Sequence, residues 1–536
     1  MYSAEPNYFE KINSISNDYT PSLQYAVELI ELDKVWELTT GTNAINIGII
    51  DTGIDGDHPD LQGNINTNLS KCFSTYYTNP LEDADGHGTH VAGIIGSIGN
   101  NGEGIAGVNW NISLISLRVA ESNNEIPISN SIDAINYANE DGVDIDILNY
   151  SAGGYTNNAS VNLRKQAIQN YSGLFICAAG NDSKNVDIDL HYPSSHDLDN
   201  LISVGSIDEY NQRANTSNYG ENTVQIYAPG ESIYSTIVNN YGLKSGTSMA
   251  APYVTGVAAL LASLKPDLTP LQLKYAILNS ADTITITLPD NSHQNVKKLN
   301  AFNAMKYILG TQTHGLSLQY GNESYSSTIN GSSQYYLEKN AFVRLAVNAD
   351  YEYDFSLSSA NPINITLYDD NLDEISITPT YTNSNCNISF SKYLATGTYY
   401  LKTNYVNTTT SGTVNFTIYG PPHTHSYTSW IYHNNISHIE VCDCGTIGTA
   451  IQPHAVSPSD RYKDRANCIG CGAIINLTGG GGITIVPGPS NNNTQVTING
   501  SYILPSGIII LVDEDIEDYL NGTLVFYDKD EVPLIN

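Results

Sequence analysis

Basic residues are scarce in this chain. Its 536 residues include 22 Lys and Arg against 55 Asp and Glu, so the formal net charge at pH 7 is -33. A surface this acidic repels phosphate backbones and anionic lipid headgroups, which disfavours nucleic acid and membrane surfaces as partners. It keeps a protein soluble and can bind divalent cations, although a well-solvated exterior is the simpler interpretation.

Cysteine is also scarce and unevenly placed. Of seven cysteines, Cys72, Cys177 and Cys386 stand alone, and the other four cluster between residues 442 and 471. This distribution is not a disulfide framework. Residues 21–310 are therefore expected to hold together without bridges.

Long apolar runs are missing. A spanning helix needs about 20 apolar residues, and the longest candidate, residues 503–512, is interrupted by Pro505 and Gly507. We therefore predict no membrane span. The N-terminus lacks the basic, apolar and small-residue order of a secretory signal, so either export is not encoded here or the chain is a fragment.

The length exceeds what one hydrophobic core normally supports and favours about two to four domains. Short apolar runs alternate with helical patterns between residues 45 and 264, which is typical of a parallel sheet with helices on both faces. The predicted strands are 45–50, 112–119, 143–149, 173–179, 201–207 and 224–228. The predicted helices are 131–140, 161–171, 250–264, 270–279 and 300–309.

The pattern changes near residue 310 to alternating apolar and polar residues. Predicted strands at 341–347, 351–357, 363–368, 399–405 and 414–419 indicate an antiparallel sandwich. We therefore predict an N-terminal segment (1–20), an α/β domain (21–310), an all-β sandwich (311–420), a small Cys- and His-rich module (421–475), and a Gly-rich linker with a β-rich tail (476–536).

Three reactive side chains lie at predicted strand ends or helix starts. Asp51 follows the strand 45–50, His87 begins an apolar helix, and Ser248 precedes the buried helix 250–264. Each alone has a structural explanation, as a turn or cap residue or a satisfied histidine. Sites of α/β sheets lie at the carboxyl ends of strands, where these three residues could meet.

The segments around these residues closely resemble the subtilisin-like serine proteases. They read DTGID (51–55), HGTHVAG (87–93) and GTSMAAP (246–252). The chain order Asp, His, Ser separates this family from other triads. The resemblance covers residues 23–309 and implies a secreted serine endopeptidase with Asp51, His87 and Ser248 as catalytic triad. It makes His87 the base and leaves His90 a structural role.

The chemistry explains why these residue types are needed. A serine hydroxyl is too weak an acid to attack an amide unaided at neutral pH, so a base must take its proton. The pKa of an imidazole lets His87 accept that proton and later pass it to the leaving amine. Asp51 would fix the productive tautomer.

The resemblance also implies an oxyanion donor and a substrate-binding segment. The side-chain amide of Asn181 is expected to face the oxyanion, together with the backbone N–H of Ser248. The segment Ser151, Ala152 and Gly153 is expected to pair with an extended substrate backbone, which gives broad specificity. The small residues Ala178, Ala179 and Gly180 are expected to form a wall of a primary pocket that admits a large apolar residue.

The resemblance further implies structural calcium, while the chemistry itself needs no cofactor. Asp60 matches a carboxylate that binds Ca²⁺ in many subtilisins, together with the loop 99–107 (GNNGEGIAG), from which we take Asn101 as a second ligand. Hard oxygen ligands suit Ca²⁺. A solvated acidic turn remains the alternative for both residues.

The Cys-rich module reads CDCG (442–445) and CIGCG (468–472). Four thiolates from Cys442, Cys444, Cys468 and Cys471 would suit a structural Zn²⁺, and a fold this small would need the metal. The module resembles zinc-ribbon-like repeats of Firmicute surface proteins. Two disulfides are the competing interpretation, because Cys-X-Cys is a less usual zinc spacing.

The predicted partners are protein or peptide substrates and the chain's own propeptide, since residues 3–8 resemble the closing strand of the inhibitory propeptide in this family. Residues 1–20 would then be a propeptide remnant. The sandwich resembles prepeptidase C-terminal or Ig-like domains and could attach the protein, expected to be a monomer, to cell-surface components. A surface-binding protein and a pseudoenzyme are the alternative functions, and the complete set of reactive residues argues against the second.

Overall fold

The structure is a computed structural model. It describes residues 16–155, 159–312, 314–318, 322–330, 333, 336–382 and 386–420, together with the backbone of short strands between residues 427 and 510. The propeptide-like residues 3–8 lie outside the described residues, as do Cys444, Cys468 and Cys471. Residues Met1–Pro421 form one compact unit and Pro422–Asn536 a second.

The helices and strands of the first unit follow the predicted alternation up to residue 312. The helices are α1 (Tyr25–Leu29), α2 (Leu32–Trp36), α3 (His87–Gly96), α4 (Ile128–Tyr137), α5 (Ala159–Asn170), α6 (Thr247–Leu264), α7 (Pro270–Asn279), α8 (Ala301–Gln312) and α9 (Tyr336–Lys339). The strands up to α8 are β1 (Asn46–Asp51), β2 (Lys71–Cys72), β3 (Ser113–Arg118), β4 (Ile147–Tyr150), β5 (Leu174–Ala178), β6 (Leu201–Ile207), β7 (Ile226–Pro229), β8 (Ile233–Ile237), β9 (Asn240–Lys244), β10 (Asp282–Thr287) and β11 (His293–Lys298).

The main sheet has nine strands in the order β10-β11-β7-β6-β5-β4-β1-β3-β2. From β7 to β2 every neighbouring pair is parallel, and β10 and β11 form an antiparallel hairpin at one edge. Parallel strands buried on both faces require nearly continuous apolar sequence, and β1 and β5 have it. The predicted α/β fold with a parallel sheet is confirmed.

Helices cover both faces of this sheet. Successive side chains of a strand point to opposite faces, so Ile47 and Ile49 of β1 join the core beneath α3 and α6, whereas Ile50 joins the core beneath α4 and α5. Helix α6 is long and apolar enough to cross a membrane, but 94% of it is buried inside the protein. An apolar helix enclosed in this way is a core helix.

The all-β region consists of two five-stranded sheets with the orders β12-β14-β20-β16-β17 and β13-β21-β15-β19-β18. Their strands are β12 (His314–Leu318), β13 (Asn322–Asn330), β14 (Ala341–Val347), β15 (Tyr351–Ser359), β16 (Ile363–Tyr368), β17 (Glu374–Ile375), β18 (Thr380–Thr382), β19 (Asn387–Leu394), β20 (Gly397–Tyr405) and β21 (Ser411–Tyr419). Apart from the parallel pair β12 and β14, the pairing is antiparallel. Inward-facing apolar residues of both sheets form one core, which confirms the sandwich.

The sandwich packs against the α/β part within the same compact unit. Phe342, Leu372 and Tyr400 belong to the core cluster of the main sheet, and Lys306 of α8 pairs with Asp370 at 3.3 Å. The second unit contributes the short strands β22 (Tyr427–Asn434), β23 (Ser437–Cys442), β24 (Ile447–Pro453), β25 (Arg465–Asn467), β26 (Ile474–Asn476), β27 (Ile485–Val486), β28 (Tyr502–Ile503) and β29 (Ile509–Ile510).

Candidate active site

The order of the main sheet creates one position where the chain reverses its direction of winding. From β1 the chain passes to the edge strand β2 and back to β3, both on one side of β1, and then crosses to β4 on the other side before continuing to β7. In open α/β sheets, ligands bind at the carboxyl ends of the strands that flank such a reversal. Asp51 is the last residue of β1, and Ser151 directly follows β4.

Asp51 and His87 meet at this edge. Asp51 Oδ1 lies 2.7 Å from His87 Nδ1 and also accepts a 2.8 Å hydrogen bond from Thr52 N. Because a carboxylate can only accept, Nδ1 carries the proton and Nε2 is left as the basic nitrogen. Gly88 permits the start of α3 to approach the segment after β1, since a Cβ at residue 88 would lie 2.1 Å from Gly53 O.

The first turn of α3 is held by a second buried carboxylate. Asp83 Oδ2 accepts hydrogen bonds from Thr89 N at 2.9 Å and Thr89 Oγ1 at 2.7 Å. Thr89 O in turn accepts from Thr236 Oγ1 of β8 at 2.7 Å. These bonds satisfy backbone donors at the helix start and fix the position from which His87 reaches Asp51.

The environment of His87 raises the pKa of its imidazole above the ordinary value of 6.5. Burial, the largest influence, acts to lower the pKa of His87, but the negative charge of Asp51 and the hydrogen bond to it together outweigh burial. The His87 side chain is 25% exposed and that of Asp51 is 3% exposed. The Nδ1 side of the imidazole therefore contacts a buried carboxylate, while the ring as a whole remains partly exposed to solvent.

Asn181 contacts the start of α6 at Thr247, the residue before Ser248. Asn181 Oδ1 accepts hydrogen bonds from Thr247 N at 2.8 Å and Thr247 Oγ1 at 3.1 Å, while Thr247 Oγ1 accepts one from Gly180 N. With its oxygen held in this way, the Asn181 amide has an N–H₂ group to which no hydrogen-bond acceptor among the described residues is assigned. Ser248 N–H lies in the first helical turn, where backbone N–H groups have no partner within the helix.

The Ser248 hydroxyl contacts the segment predicted to bind substrate. Ser248 Oγ donates a 3.0 Å hydrogen bond to Ser151 O, and Ser151 Oγ donates one of 2.9 Å to Ser248 O. At Gly153 a Cβ would lie 2.3 Å from the His191 ring, so only glycine fits. Ala152 is half-buried between these two positions.

The predicted wall of the primary pocket lies at the end of β5. Ala178 and Ala179 are 2% and 0% exposed, so their methyl groups belong to the protein interior and offer a substrate almost no surface. Gly180 adopts a left-handed backbone with φ of +99°, and a Cβ there would lie 2.4 Å from Asn218 Nδ2. The pocket-wall assignment stays a prediction.

Comparison with known proteins agrees with this arrangement. Residues 42–323 match the model of the subtilase family, peptidase S8. A thermophilic serine proteinase of Bacillus sp. strain AK1 is 35% identical over 306 residues, which are 57% of this chain and 72% of that protein. Thermitase of Thermoactinomyces vulgaris is 32% identical over 293 residues, 54% of this chain and 99% of that protein. Subtilisin DY of Bacillus licheniformis is 34% identical over 270 residues, 49% and 93%.

The chain belongs to the subtilase family. The family match spans the main sheet and helices α3 to α8, and therefore includes every element that carries a candidate active-site residue. The subtilase is a serine endopeptidase, as predicted from the three motifs.

The second histidine of the HGTHVAG motif lies away from the active-site edge of the subtilase. His90 is fully buried, and its Nε2 lies 3.0 Å from Ile233 O and 3.2 Å from Gly242 O. Because both partners are carbonyls, Nε2 donates. Burial lowers the pKa of His90 to about 4. A neutral histidine that joins α3 to the hairpin β8–β9 fits a structural role.

The two predicted calcium ligands of the subtilase lie side by side. Asn101 Nδ2 donates to Asp60 Oδ1 at 2.9 Å, and Ile105 N donates to Asp60 Oδ2 at 3.1 Å. Asp60 is fully buried, and burial raises the pKa of its carboxyl to about 6. In the described part of the chain no ion pair involves Asp60. Both Asp60 oxygens accept hydrogen bonds within the protein, and among the described residues no group of three or more His, Cys, Asp or Glu side chains could hold a metal ion, so the calcium site stays a prediction.

The described residues of the Cys-rich module include only one of the four predicted zinc ligands. Cys442 is the last residue of β23, and the other three predicted thiolate ligands lie outside the described residues. Among the residues that are described, no group of three or more His, Cys, Asp or Glu side chains could hold a metal ion. The zinc site stays a prediction.

Sequence reasoning missed two residues that support the site. Thr247 orients Asn181 and Asp83 anchors α3. Asp83 stands within an acidic run before the histidine motif, where an N-terminal helix contact could have been expected. The role of Thr247 depends on which segment approaches it in space, so the sequence alone does not indicate it.

Proposed function

We propose that this subtilase is a secreted endopeptidase in which Ser248 is the nucleophile, His87 the general base and Asp51 the residue that orients it. The observation that supports this most strongly is the 2.7 Å contact between Asp51 and His87 at the edge where α6 presents Ser248. The raised pKa of His87 supports this role, because an imidazole beside a buried carboxylate is stabilised when it gains a proton.

The reaction proceeds through an acyl-enzyme. His87 Nε2 takes the proton of Ser248 Oγ as the oxygen attacks the scissile carbonyl, and Asp51 stabilises the imidazolium. The tetrahedral intermediate collapses with cleavage of the C–N bond, and His87 gives its proton to the leaving amine. Water, deprotonated by the same imidazole, then hydrolyses the ester and restores the Ser248 hydroxyl.

The oxyanion of the tetrahedral intermediate is stabilised by two donors. One is the backbone N–H of Ser248 in the first turn of α6, where the helix dipole adds positive potential. The other is Asn181 Nδ2, with the amide held in place by Thr247. Both donors are oriented before substrate arrives, so little reorganisation is needed during the reaction.

Substrate specificity is broad, with preference for a large apolar residue before the scissile bond. The substrate backbone pairs with Ser151, Ala152 and Gly153, and main-chain pairing of this kind selects weakly among sequences. The end of β5, at Ala178, Ala179 and Gly180, borders the pocket of the residue whose carbonyl is attacked.

The calcium site, the propeptide and the C-terminal modules stabilise the enzyme, regulate it and attach it to other molecules. Calcium at Asp60 and Asn101 would supply a counter-charge for the buried carboxylate and so stabilise the loop 99–107. The N-terminal segment (1–20), the peptidase domain (21–310), the sandwich (311–420), the zinc-ribbon-like module (421–475) and the tail (476–536) are the proposed divisions. The propeptide inhibits before maturation, and the C-terminal modules attach the enzyme to substrates or to the cell surface.

A fluorophosphonate probe tests the proposed nucleophile. The folded, matured enzyme is expected to form one adduct on Ser248, located by mass spectrometry of the digested protein. Ser248→Ala, with an unchanged circular dichroism spectrum and thermal midpoint, should not react, and Ser245→Ala should react as the parent does. An adduct elsewhere, or none in folded matured protein, would remove the proposal.

A further inference from the structure

Arg164 of α5 is a buried cation without a negative partner. The residue is 3% exposed, and in the described part of the chain no ion pair within 4.0 Å involves it. Its Nη1 donates one 3.3 Å hydrogen bond to the neutral hydroxyl of Tyr150, and its Nε is buried with no partner among the described residues. Burying a charge is unfavourable unless it is paired and hydrogen-bonded.

The other two buried arginines of the described residues have better partners. Arg118 donates to Asn79 O at 3.0 Å and stacks at 3.4 Å over the Tyr77 ring. Arg213 donates to several backbone carbonyls within its own loop, which it holds together. Neither arginine lines the pocket that adjoins the proposed substrate-binding segment 151–153. Arg164 lies 5.6 Å from the centroid of the Tyr150 ring, and the Nε atoms of all three arginines have no partner among the described residues. Arg164 differs from the other two in having no hydrogen bond to a backbone carbonyl among the described residues and in its place beside the pocket.

Arg164 lines a pocket that is continuous with the proposed substrate-binding segment. The pocket has a volume of about 590 Å³, and its lining includes Tyr150, Ala152, Gly153 and Gly154. Ser151, within this segment, accepts the hydrogen bond of the Ser248 hydroxyl. A peptide that pairs with the segment while its carbonyl faces Ser248 would place a neighbouring side chain over the pocket.

We propose that this pocket binds an acidic side chain of the substrate, and that Arg164 is the specificity-determining residue that recognises its carboxylate. The inference rests on the proposed function, because it uses the same substrate path. A guanidinium binds carboxylates through parallel charge-assisted hydrogen bonds, which are stronger than those between neutral groups.

Among the described residues, one carboxylate lines the same pocket. Glu125 also lines the pocket and is exposed to solvent, and it forms no ion pair with Arg164 in the described structure. The net charge of -33 further opposes the approach of an acidic peptide. Solvent ions screen such long-range repulsion within about 10 Å at 0.1 M salt, whereas they screen contacts inside a buried pocket much less. The local cation therefore decides the preference.

The test compares matched peptides that keep the same large apolar residue before the scissile bond. Glu or Gln is placed in turn at each of the preceding positions, and kcat/KM is measured for both members of each pair. We expect one position at which Glu exceeds Gln by about 10-fold or more, the size of a charge-assisted contact. Glu and Gln have nearly the same shape, so the ratio isolates the charge.

Arg164→Met should reduce this ratio to about one, and Arg164→Lys should retain part of it. Lys165→Met is the matched control, because it removes the same charge from the next residue of α5, outside the pocket, and should keep the full ratio. Glu125→Gln should keep or raise the ratio. A ratio near one at every position in the parent enzyme, an unchanged ratio in Arg164→Met, or a fall in Glu125→Gln would overturn the inference.

A binding measurement distinguishes failure of this inference from failure of the proposed function. Fluorescence anisotropy of the same labelled peptides on Ser248→Ala gives Kd without any turnover. If the parent cleaves no peptide, the proposed function fails, while tighter Glu than Gln binding that depends on Arg164 would still support the pocket. If the parent cleaves the Gln peptides and Glu brings no gain in Kd or kcat/KM, the inference alone is wrong.

Discussion

Ser248 Oγ donates its hydrogen bond to Ser151 O, 3.0 Å away, and among the described residues no hydrogen bond joins Ser248 to His87. The hydroxyl thus occupies an acceptor that the proposed substrate backbone needs. Catalytic hydrogen bonds are often long or absent without substrate and form in the Michaelis complex. A substrate N–H that takes Ser151 O would release the hydroxyl to face the imidazole.

Methylating one backbone nitrogen of the substrate tests this exchange. In a peptide whose residue before the scissile bond is N-methylated, no N–H can take Ser151 O. We expect kcat/KM to fall by about 10-fold or more, because the acceptor is left unpaired. Methylation of a nitrogen several residues upstream is the control and should lower kcat/KM by a smaller factor. Equal losses at both positions would contradict the proposed pairing.

The pH profile of the enzyme should report His87. The imidazole must be neutral to accept a proton, and its pKa lies above 6.5 in the folded enzyme. Activity is therefore expected to be lost as pH falls through a midpoint above 6.5, measured as kcat/KM. In Asp51→Asn the two largest influences that raise the pKa of His87 are removed, and burial, the largest influence of all, then outweighs the smaller opposing effects of Lys244 and Asp85. The midpoint should therefore move below 6.5 while the maximum falls by about 10⁴-fold. An unchanged midpoint would show that another group titrates.

Removal of the Asn181 amide should affect the transition state alone. Asn181→Ala is expected to lower kcat by about 10² to 10³-fold with little change in KM, a magnitude that comes from the matching change in a subtilisin. Thr247→Val removes one of the two hydrogen bonds that hold the amide. It should lower kcat by a smaller factor than Asn181→Ala, since Thr247 N still donates to Asn181 Oδ1. A loss expressed mainly in KM would assign Asn181 to ground-state binding instead.

Calcium removal should destabilise the enzyme if Asp60 holds the ion. We expect EGTA to lower the thermal midpoint and added Ca²⁺ to restore it, because a ligand that binds only the folded state stabilises it. Asp60→Asn should have a lower midpoint that no longer responds to either addition. Asp57→Asn, on an exposed carboxylate nearby, is the control and should respond like the parent. A parent midpoint insensitive to EGTA would leave Asp60 and Asn101 as a hydrogen-bonded loop contact.

The elements that pass through the core were the easiest to predict. Strand β6 and helix α7 have the predicted bounds, because continuous apolar sequence or a threonine cap followed by proline marks them. Strand β4 begins at Ile147 rather than at residue 143. Asp146 explains the difference, since its carboxylate accepts from Asn46 N at 2.8 Å and ends the regular pairing.

The active site could be predicted only in part. Motif spacing and strand ends pointed to Asp51, His87 and Ser248, whereas the hairpins β8–β9 and β10–β11 were missed because their strands are short and polar. Arg164 also carries no signal in the sequence. A cation on an amphipathic helix is normally solvated, and only the packing of α5 against Tyr150 shows that this one is buried.

The central claim is that Ser248 and His87 act as one unit, and double-mutant kinetics test it most directly. The measurement is kcat/KM for Ser248→Ala, His87→Ala and the double variant, on protein shown to be folded. Residues that act together are strongly non-additive, so each single change should remove about 10⁶-fold of activity and the double variant should lose little more. Single variants that retain most activity, or losses that multiply in the double variant, would contradict the triad.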